Sequence, residues 1–467
     1  MSQSDKKRLN ISARSFITAI LVIFVLMVVG YILTLVIPGG SYARVEDANG
    51  NMVIDTEGGF SHVEGGISFF RWLLSPILVL GASGSGALIA VIAFLLVIGG
   101  VFTAMDGCGL IRYMLNRVSH RFAGVRYRLL VIIPLFFMAL GSMVGAFEEC
   151  VPLVPIVVAL ATSLGWDALT GLTMSLLATG CGFAAGVCNP FTVGVAQQLA
   201  GLPMFSGVWM RLLSFGLIYA LLLGFLFYHA KKVEKPIAQD EPGKRFVPSP
   251  SMDRGLWCFV SLLGIGILTV LCSSFLPFLQ DYTMVVVAVT FLVAGIASTL
   301  VCGLGVKKLG AYFLSGILGI LPAVAMILMA SSIKYTLEEA KVLDTILHGA
   351  VDLANLLPSW TVILLIYLIV LVMNFFIPSG SAKAFMLIPL IIPLAQIFHI
   401  SPQLCVLAFA FGDGFSNVFY PTNPALLISL GLADVEYGKW FRHSWRFQFA
   451  NLILTSLILL LGLVIGY

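Results

Sequence analysis

Two adjacent carboxylates interrupt an apolar stretch of the sequence between residues 129 and 164. They are Glu148 and Glu149, and their neighbours in the segment 145–152 are small or apolar. An acid inside a hydrophobic segment is costly, and such acids usually bind an ion, a proton or a ligand. We therefore predict that Glu148 and Glu149 belong to a binding site. The alternative is a loop tip that simply reaches cytoplasmic water.

A third acid, Asp413, lies between two glycines in the segment 412–417, which also contains Asn417. An isolated acid within an apolar stretch needs a positive partner. The sequence therefore predicts that Asp413 pairs with a cation, a proton or the ammonium group of a substrate. Asn417 is assigned to the same site.

Small residues and hydroxyls form the centre of another apolar stretch, 359–398. They are Ser379, Gly380 and Ser381. Glycine lets the backbone approach a ligand closely, and serine hydroxyls can replace the hydrogen bonds of a broken helix. We predict that these three residues contact the substrate, with ordinary loop chemistry as the alternative. The nearby Lys383 either joins this site or extends its ammonium group to the membrane interface.

Two Asn-Pro pairs interrupt helical patterns at residues 188–192 and 420–424. Proline removes a helical hydrogen bond and clashes with the preceding turn, so each pair should open a helix. The amino-terminal end of the following half-helix then favours an anionic group such as a carboxylate. The site residues predicted at these breaks are Asn189, Thr192, Thr422 and Asn423. Other interpretations are a sodium ion held by Asn189, Asp413 and Asn423, and a plain proline kink without a ligand.

The composition requires much of this chain to face hydrocarbon. Of 467 residues, 60% are hydrophobic and 10% are charged, and the mean hydropathy is +1.04. A soluble protein carries about 25% charged residues. The eight cysteines show no metal-binding spacing, and we expect no cofactor. The expected partners are the lipid bilayer and a small-molecule substrate, and no nucleic acid.

The apolar runs predict an all-α polytopic membrane protein. A helix needs about 20 apolar residues to cross the bilayer. Seven runs qualify, and they are 15–38, 84–106, 208–230, 255–279, 283–303, 311–333 and 445–466. Two more stretches, 166–201 and 402–431, are interrupted by Gly, Asn and Pro, and we interpret them as broken helices. Together these make nine full spans.

Basic residues indicate which loops are cytoplasmic. They cluster at 6–8, 112–128, 231–235, 307–308 and 439–446. All of these clusters fall on one side only if the stretches 129–164 and 359–398 enter and leave the bilayer on the same side. We therefore predict two re-entrant hairpins, a cytoplasmic amino terminus and a carboxyl terminus outside.

The two halves of the chain match element by element. Each half has a span, an amphipathic arm (107–128 or 334–358), a hairpin, a broken helix and a final span. The residues that match at one constant offset are Pro155 with Pro389, Gly180 with Gly414, and Asn189 with Asn423. Because an odd number of crossings separates the halves, the repeats are inverted. Inverted repeats with broken helices at matching positions predict a transporter whose site lies near the bilayer midplane.

Four motifs carry a family resemblance: Phe-Glu-Glu at 147–149, Asn-Pro-Phe-Thr at 189–192, Pro-Ser-Gly-Ser at 378–381 and Phe-Gly-Asp-Gly-Phe-Ser at 411–416. Through them the sequence resembles the YfcC family of DcuC-like carriers, in the ion transporter superfamily, over nearly the whole chain. Members of this superfamily are dimers in which a transport unit slides like an elevator against a scaffold. The resemblance implies the same here, in the inner membrane of a bacterium.

The resemblance also divides the chain. It assigns to the transport unit residues 129–230, with hairpin 129–164 and broken helix 166–201, and residues 359–467, with hairpin 359–398 and broken helix 402–431. The scaffold comprises residues 1–128 and 255–358, each including one arm. Residues 231–254 form a cytoplasmic linker.

The resemblance leaves two kinds of substrate open, because the family includes C4-dicarboxylate carriers and arginine/ornithine exchangers. Dicarboxylate carriers of the superfamily have Ser-Asn-Thr at the hairpin tips, whereas the tips here are Phe-Glu-Glu and Ser-Gly-Ser. The acids suit an ammonium or guanidinium group, and the half-helix ends suit the carboxylate of the same molecule. The sequence therefore favours an exchanger of amino acids, especially basic ones. The alternative is a sodium- or proton-coupled carrier of organic anions. An enzyme is disfavoured, because no catalytic motif is visible.

Overall fold

The structure is a computed structural model. It describes the chain except for residues 1–12, 47–51, 55–58, 83–84, 115–116, 118–123, 125, 236–248, 274–282 and 355–356. Nine of the 22 residues of the first predicted arm (107–128) and thirteen of the 24 residues of the predicted linker (231–254) therefore lie outside the described residues.

The described part is built mainly from helices. In chain order these are α1 Ala13–Val36, α2 Phe69–Leu73, α3 Ser75–Leu78, α4 Ser85–Gly107, α5 Arg126–Ala139, α6 Val154–Ser163, α7 Ala168–Leu172, α8 Ala178–Ala185, α9 Val195–Leu199, α10 Val208–Val233, α11 Pro250–Ser273, α12 Thr283–Val301, α13 Val306–Glu339, α14 Leu343–Ala354, α15 Ser359–Phe376, α16 Gly380–Ile397, α17 Pro402–Gly414, α18 Pro424–Leu432 and α19 Tyr437–Ile465. Tighter 3₁₀ turns occupy Val79–Gly81, Glu148–Leu153 and Phe415–Val418. Wider π turns occupy Leu140–Val144, Thr173–Leu177 and Pro190–Gly194.

Four short strands follow α1, namely β1 Gly40–Tyr42, β2 Arg44–Glu46, β3 Met52–Ile54 and β4 Phe60–His62. β1 pairs with β4 and β2 with β3, both antiparallel. Arg44 joins this strand region to α14 through a bidentate ion pair with Asp344, at 2.8 and 2.9 Å.

Seven helical segments of the described part are long and apolar enough to cross a membrane. They are Leu88–Gly107, Arg126–Val144, Ala168–Leu199, Val208–Val233, Val306–Glu339, Gly380–Ile397 and Tyr437–Ile465. Shorter apolar helices are Ile23–Val36, Ala288–Val301 and Trp360–Phe376. The prediction of an all-α, multi-pass membrane protein is confirmed.

Some helix boundaries differ from the predicted ones. α13 runs on to Glu339 instead of ending at residue 333, because no glycine or proline interrupts it there and Lys334 pairs with Glu338 at 3.3 Å. The second arm therefore starts inside α13 and continues as α14. α19 begins at Tyr437, about two turns before the predicted residue 445. The end of the predicted span 255–279 lies outside the described residues.

The first predicted hairpin is a pair of helices, α5 and α6, joined by a compact tip. The π turn at the end of α5 stops at Gly145, which has a left-handed φ of 74°. The 3₁₀ turn with Glu148 and Glu149 then leads into α6. At the opposite end, Arg126 donates to the carbonyl of Leu164 at 3.2 Å. The chain therefore enters and leaves this hairpin at one end of the molecule, as a re-entrant segment requires.

The second predicted hairpin has a shorter tip. α15 ends at Phe376, and after the short link to Ser379 the chain starts α16 at Gly380. α15 and α16 contact each other along this hairpin. Re-entry of either hairpin into the bilayer stays a prediction.

Both predicted broken helices are interrupted at their Asn-Pro pairs. The first contains α7, α8 and α9 and opens between Gly186 and Asn189. The second contains α17 and α18 and opens between Phe415 and Asn423. α8 and α17 pack against each other at the centre of the molecule, where nearly all their residues are buried. α1, α4, α11, α12 and α13 pack together as a separate bundle.

Candidate functional site

The two hairpins and the two helix breaks meet at the centre of the molecule. The 3₁₀ turn Glu148–Leu153 of the first hairpin contacts α18, which follows the second break. α16 of the second hairpin contacts the π turn Pro190–Gly194, which follows the first break. Each hairpin therefore reaches across to the opposite half of the chain.

The tip of the first hairpin is fastened to the first break by backbone hydrogen bonds. The hydroxyl of Ser142 accepts from the backbone of Val187 at 3.0 Å, and its carbonyl accepts from Cys188 at 3.1 Å. A side chain on Gly145 would overlap the amide oxygen of Asn189. Only glycine permits both the left-handed turn and this close approach.

The two Asn-Pro pairs have the same local geometry. Asn189 is extended (φ −63°, ψ 112°), and its Oδ1 accepts from Phe191 and Thr192. Asn423 is also extended (φ −83°, ψ 119°), and its Oδ1 accepts from Ala425 and Leu426. Asparagine is a favoured helix N-cap, and proline at the first helical position needs no hydrogen-bond partner. The Asn-Pro sequence therefore starts the second half-helix of each broken helix. The first half-helices have already ended, at Ala185 and, after a 3₁₀ turn, at Val418.

The remaining amide nitrogens of these asparagines differ. Asn423 Nδ2 donates to Asn417 Oδ1 at 3.0 Å. Asn189 Nδ2 is buried and has no hydrogen-bond partner among the described residues. The asparagine of the first break therefore has an unused amide donor, whereas the asparagine of the second break does not.

Asp413 forms an ion pair with Lys383, which our sequence analysis left outside the list of site residues. Lys383 Nζ lies 2.5 Å from Asp413 Oδ1, and both side chains are completely buried. The alternative that Lys383 reaches the membrane interface is therefore wrong. Lys383 lies one turn after the hairpin tip. This position in the sequence could have indicated that Lys383 belongs to the site.

Asn374 connects the second hairpin to the second break and was also missed. Its Nδ2 lies within hydrogen-bond distance of the carbonyl of Asp413 (3.1 Å), Ser416 Oγ (2.6 Å) and Asn417 Oδ1 (2.9 Å). Its Oδ1 accepts from Lys383. The only amide in the apolar helix α15 was the available sequence signal. Asn417 also donates to the carbonyl of Asp413, at 2.8 Å.

The residues of the second hairpin tip differ in what they contact. A Cβ on Gly380 would lie 2.6 Å from Thr192 Cγ2 and 2.7 Å from Asp413 Oδ2, so the backbone itself touches both halves. Ser379 is exposed and Ser381 is partly exposed. Gly380 is therefore the tip residue that lies against the other predicted site residues.

Five of the predicted site residues carry buried polar atoms without a hydrogen-bond partner in the described part of the chain. These atoms are Glu149 Oε2, Asn189 Nδ2, Thr192 Oγ1, Asp413 Oδ2 and Thr422 Oγ1. Each unsatisfied buried group costs about 1–3 kcal/mol, so native proteins keep few of them. Other buried polar atoms without a partner in the described part belong to Ser75, Trp166, Arg211, Ser429, Gln448 and Asn451. The five named above lie at the first hairpin tip, at the two breaks and on Asp413, where these elements meet, and this grouping indicates a ligand-binding site.

Negative charge is concentrated at the first hairpin tip. The side chains of Glu148 and Glu149 are partly exposed. The carboxylate of Glu149 is repelled by that of Glu148, and the carboxylate of Glu148 is repelled by that of Asp413. At the offset that aligns the Asn-Pro pairs, Glu149 matches Lys383. One hairpin therefore has an acid where the other has a base.

A second buried cation, Arg211 of α10, lies beside the first break. Its Nε donates to the carbonyl of Val187 at 3.1 Å, and its Nη2 donates to that of Phe205 at 3.0 Å. Its Nη1 has no partner among the described residues. Arg211 was not predicted as a site residue, because the four residues on either side of it are mostly apolar and no second polar residue marks the position.

The predicted alternative of a sodium ion involves Asn189, Asp413 and Asn423. Most side-chain oxygens of these residues already accept hydrogen bonds from the protein. The Oδ1 atoms of Asn189 and Asn423 cap helices, and Asp413 Oδ1 accepts from Lys383. Of these side chains, Asp413 keeps one oxygen, Oδ2, without a partner in the described part. No group of three or more His, Cys, Asp or Glu side chains there could hold a metal ion.

Comparison with known proteins places the chain in a family. The DcuC family, described as "C4-dicarboxylate anaerobic carrier", matches residues 16–464. The "Putative basic amino acid antiporter YfcC" of Escherichia coli K12 is 29% identical over 419 residues, which cover 82% of this chain and 80% of that protein. An "Uncharacterized protein" of Haemophilus influenzae is 24% identical over 382 residues, covering 79% and 74%.

Two solved structures are also similar. The Alcanivorax borkumensis YdaH transporter has a TM-score of 0.42 and 17% identity, covering 97% of this chain and 99% of that one. Neisseria gonorrhoeae MtrF, described within a class of antimetabolite efflux pumps, has a TM-score of 0.43 and 16% identity, covering 96% and 95%. Because the DcuC family matches nearly the whole sequence, the chain is a multi-pass membrane transporter of the DcuC family, of the YfcC type.

Proposed function

We propose that this protein is a secondary transporter that exchanges basic amino acids, such as arginine and ornithine, across the bacterial inner membrane. The observation that carries this proposal is the set of unpartnered polar atoms at the first hairpin tip, at the two breaks and on Asp413. It combines carboxylate oxygens with an amide donor and hydroxyls. Such a set is complementary to a molecule that carries both a cation and a carboxylate.

The two ends of a basic amino acid fit different parts of this set. The unpartnered oxygen of Glu149, next to the negative charge of Glu148, suits an ammonium or guanidinium group. Asn189 Nδ2 and Thr192 Oγ1 lie at the amino end of the helix that follows the first break and suit a carboxylate. Both the free donors and the helix dipole favour an anion there.

The charge of the cluster favours a cationic substrate. Lys383 neutralises Asp413, and neither glutamate of the first tip forms an ion pair with a base in the described part of the chain. A carboxylate without a basic partner in an apolar segment is unfavourable even when it is partly exposed, and a substrate cation would relieve that cost. The name of the Escherichia coli relative, a putative basic amino acid antiporter, agrees with this proposal.

We also propose the elevator mechanism and the homodimer that the family resemblance implies. The hairpins and broken helices would move as one unit against the bundle of α1, α4, α11, α12 and α13. The two parts touch through an apolar cluster formed by Ile23, Met326, Ala330 and Leu427. Apolar contacts without hydrogen bonds are compatible with sliding. A Cys pair at Ala330 and Leu427, in a background without other cysteines, should stop exchange when cross-linked and restore it on reduction. Normal exchange by the cross-linked protein would contradict this mechanism.

A sodium- or proton-coupled carrier of C4-dicarboxylates is the second candidate. Arg211 favours it, because its unpartnered Nη1 lies on a buried cation beside the first break. The description of the family as C4-dicarboxylate carriers agrees with it. In this case the acids of the first tip would bind the coupling ion.

Counterflow in liposomes tests the first candidate directly. Vesicles loaded with arginine or ornithine should accumulate labelled arginine, and ionophores should have no effect on the initial rate. Glu149→Gln should abolish this exchange. The matched control is Glu338→Gln, because Glu338 is an exposed acid in α13, paired only with Lys334.

Thermal stability of the purified protein separates the two candidates. A ligand that binds only the folded state raises the melting temperature. Arginine or ornithine should raise it, and succinate should not. Stabilisation by succinate that requires Na⁺ or low pH, without any effect of arginine, would overturn the proposed exchange and support the dicarboxylate carrier.

A further inference from the structure

The ammonium group of Lys383 lies in a cage of oxygen atoms. Its Nζ is 2.5 Å from Asp413 Oδ1 and 3.2 Å from the carbonyl of Ile377, and it also donates to Asn374 Oδ1. The lysine is completely buried. An ordinary ion pair needs only the carboxylate, whereas this cage adds an amide oxygen and a backbone carbonyl. Such oxygen-only surroundings are typical of sites for hard metal ions.

The cage oxygens lie at helix ends, where transporters commonly coordinate sodium. Ile377 is the residue that caps the carboxyl end of α15, and Asp413 lies in the last turn of α17. The carboxyl end of a helix carries partial negative charge. In transporters with discontinuous helices, carbonyls at such ends coordinate Na⁺.

The cage is held in place by bonds that do not involve Lys383. Asn374 Nδ2 contacts the carbonyl of Asp413 and the side chains of Ser416 and Asn417, which directs its Oδ1 towards the ammonium group. Removal of the lysine would therefore leave the oxygens oriented. A preorganised oxygen site of this kind suits a small cation.

Lys383 has no free donor for a substrate. An ammonium group has three N–H donors, and the three cage oxygens accept all of them. The lysine therefore does not serve as an anchor for a substrate carboxylate in this arrangement. The role of Lys383 therefore follows from its contacts with the three cage oxygens.

We propose that the ammonium group of Lys383 is a tethered cation that fills a latent sodium site at the second hairpin. The wild-type protein then needs no Na⁺ to hold this hairpin against the second break. A protein that lacks the lysine should instead bind Na⁺ between Asn374, Ile377 and Asp413. This inference goes beyond the proposed exchange of amino acids and does not depend on the substrate.

The test measures the melting temperature of Lys383→Ala in NaCl, KCl and choline chloride at equal ionic strength. The wild type should melt at the same temperature in all three salts. Lys383→Ala should melt lower in choline chloride, because Asp413 loses its partner, and Na⁺ should raise it by about 3 °C or more. Equal melting temperatures of the variant in Na⁺ and choline would overturn the proposal, as would equal Na⁺ stabilisation of the wild type.

Two further variants make the result specific. Lys383→Ala combined with Asp413→Asn removes both charges, and the melting temperature of this pair should not respond to Na⁺. A response would mean that Na⁺ acts elsewhere and would contradict the proposed site. Lys383→Ser serves if Lys383→Ala does not fold, because the hydroxyl keeps a polar group in the space left by the lysine. The melting temperature of Lys383→Ser should also rise in Na⁺ relative to choline. An unchanged melting temperature would contradict the proposed sodium site.

Arginine binding by the same samples keeps this proposal separate from the proposed function. One outcome is that the wild type fails to bind arginine while Na⁺ raises the melting temperature of Lys383→Ala. That result would contradict the proposed exchange of basic amino acids and support Lys383 as a tethered cation. If arginine binds and no Na⁺ response appears in either lysine variant, the tethered cation fails and the exchange stands.

Discussion

Gly414 lies so close to Ala184 that a side chain on Gly414 would overlap the backbone of Ala184. The matching glycine of the first half, Gly180, packs on Val418, and a Cβ there would lie 2.6 Å from Val418 Cγ1. Ala184 and Val418 are related by the same offset as the two glycines. The two contacts are therefore reciprocal, as expected when a twofold axis relates two halves of a chain. The inversion of the two repeats in the membrane stays a prediction.

Replacing Gly414 by alanine should weaken the central helix contact. Backbone atoms of Ala184 stand in the way and cannot rotate aside, so we expect a loss of about 2 kcal/mol or more. Gly216→Ala is the control, because Gly216 is also helical and has nothing within 4 Å of its Cβ position. The measurement is the melting temperature in detergent. Equal melting temperatures of the two variants would show that the contact is less tight than described here.

The two capping asparagines should respond differently to replacement by aspartate. Aspartate caps a helix as well as asparagine does, but both asparagines are buried, so either replacement also buries a negative charge and should lower the melting temperature. Asn189→Asp also loses the free Nδ2 donor, and we expect the Kd for arginine to rise by about 10- to 100-fold. Asn423→Asp should lower the melting temperature further than Asn189→Asp, because it also removes the hydrogen bond to Asn417.

Calorimetric titration with arginine and a melting curve on each variant check this difference. If Asn189→Asp binds arginine like the wild type, Asn189 does not contact the substrate. If both variants lose stability equally, the difference between the two breaks is wrong.

The two hairpins should open to opposite sides of the membrane. Thr162, near the end of α6, and Gln396, near the end of α16, are both exposed. In a background without native cysteines, Thr162→Cys should react with an impermeant maleimide only from the cytoplasmic side. Gln396→Cys should react only from outside. Labelling of both positions from one side would contradict the inverted topology.

Asp167 caps α7, the first helix of the broken helix 166–201. Its carboxyl group should make the stability of the folded protein depend on pH in the acid range. Burial would raise the pKa of Asp167, but hydrogen bonds from His229 and Thr170 outweigh it and lower the pKa from 3.8 to about 2. A lowered carboxyl pKa adds stability that is complete above pH about 4 and is lost as the pH falls towards 2. The melting temperature of the wild type should therefore exceed that of Asp167→Asn at pH 5, and the difference should shrink by pH 3. A constant difference would contradict this assignment.

Much of the helical organisation could be predicted because its causes are local. Apolar runs of the right length produce spans, and an Asn-Pro pair favours the start of a new helix, because asparagine caps it and proline fits its first position. The breaks at Asn189 and Asn423 were therefore correctly located. The motifs of the hairpin tips were recognised for the same reason, since charge and small residues stand out in apolar sequence. The extension of α13 to Glu339 was missed, because charged residues do not by themselves stop a helix.

By itself, the sequence determined the membrane class, the helix breaks and which polar residues are unusual enough to form a site. Only the tertiary structure decided which of them bind one another. Lys383 and Asp413 are distant in the chain, and no periodicity shows that α16 brings the ammonium group into the oxygen cage. The same holds for Asn189, whose free donor depends on what packs around it. Burial and pairing are properties of packed surfaces, so they follow from how the helices meet and not from the residues of any single helix.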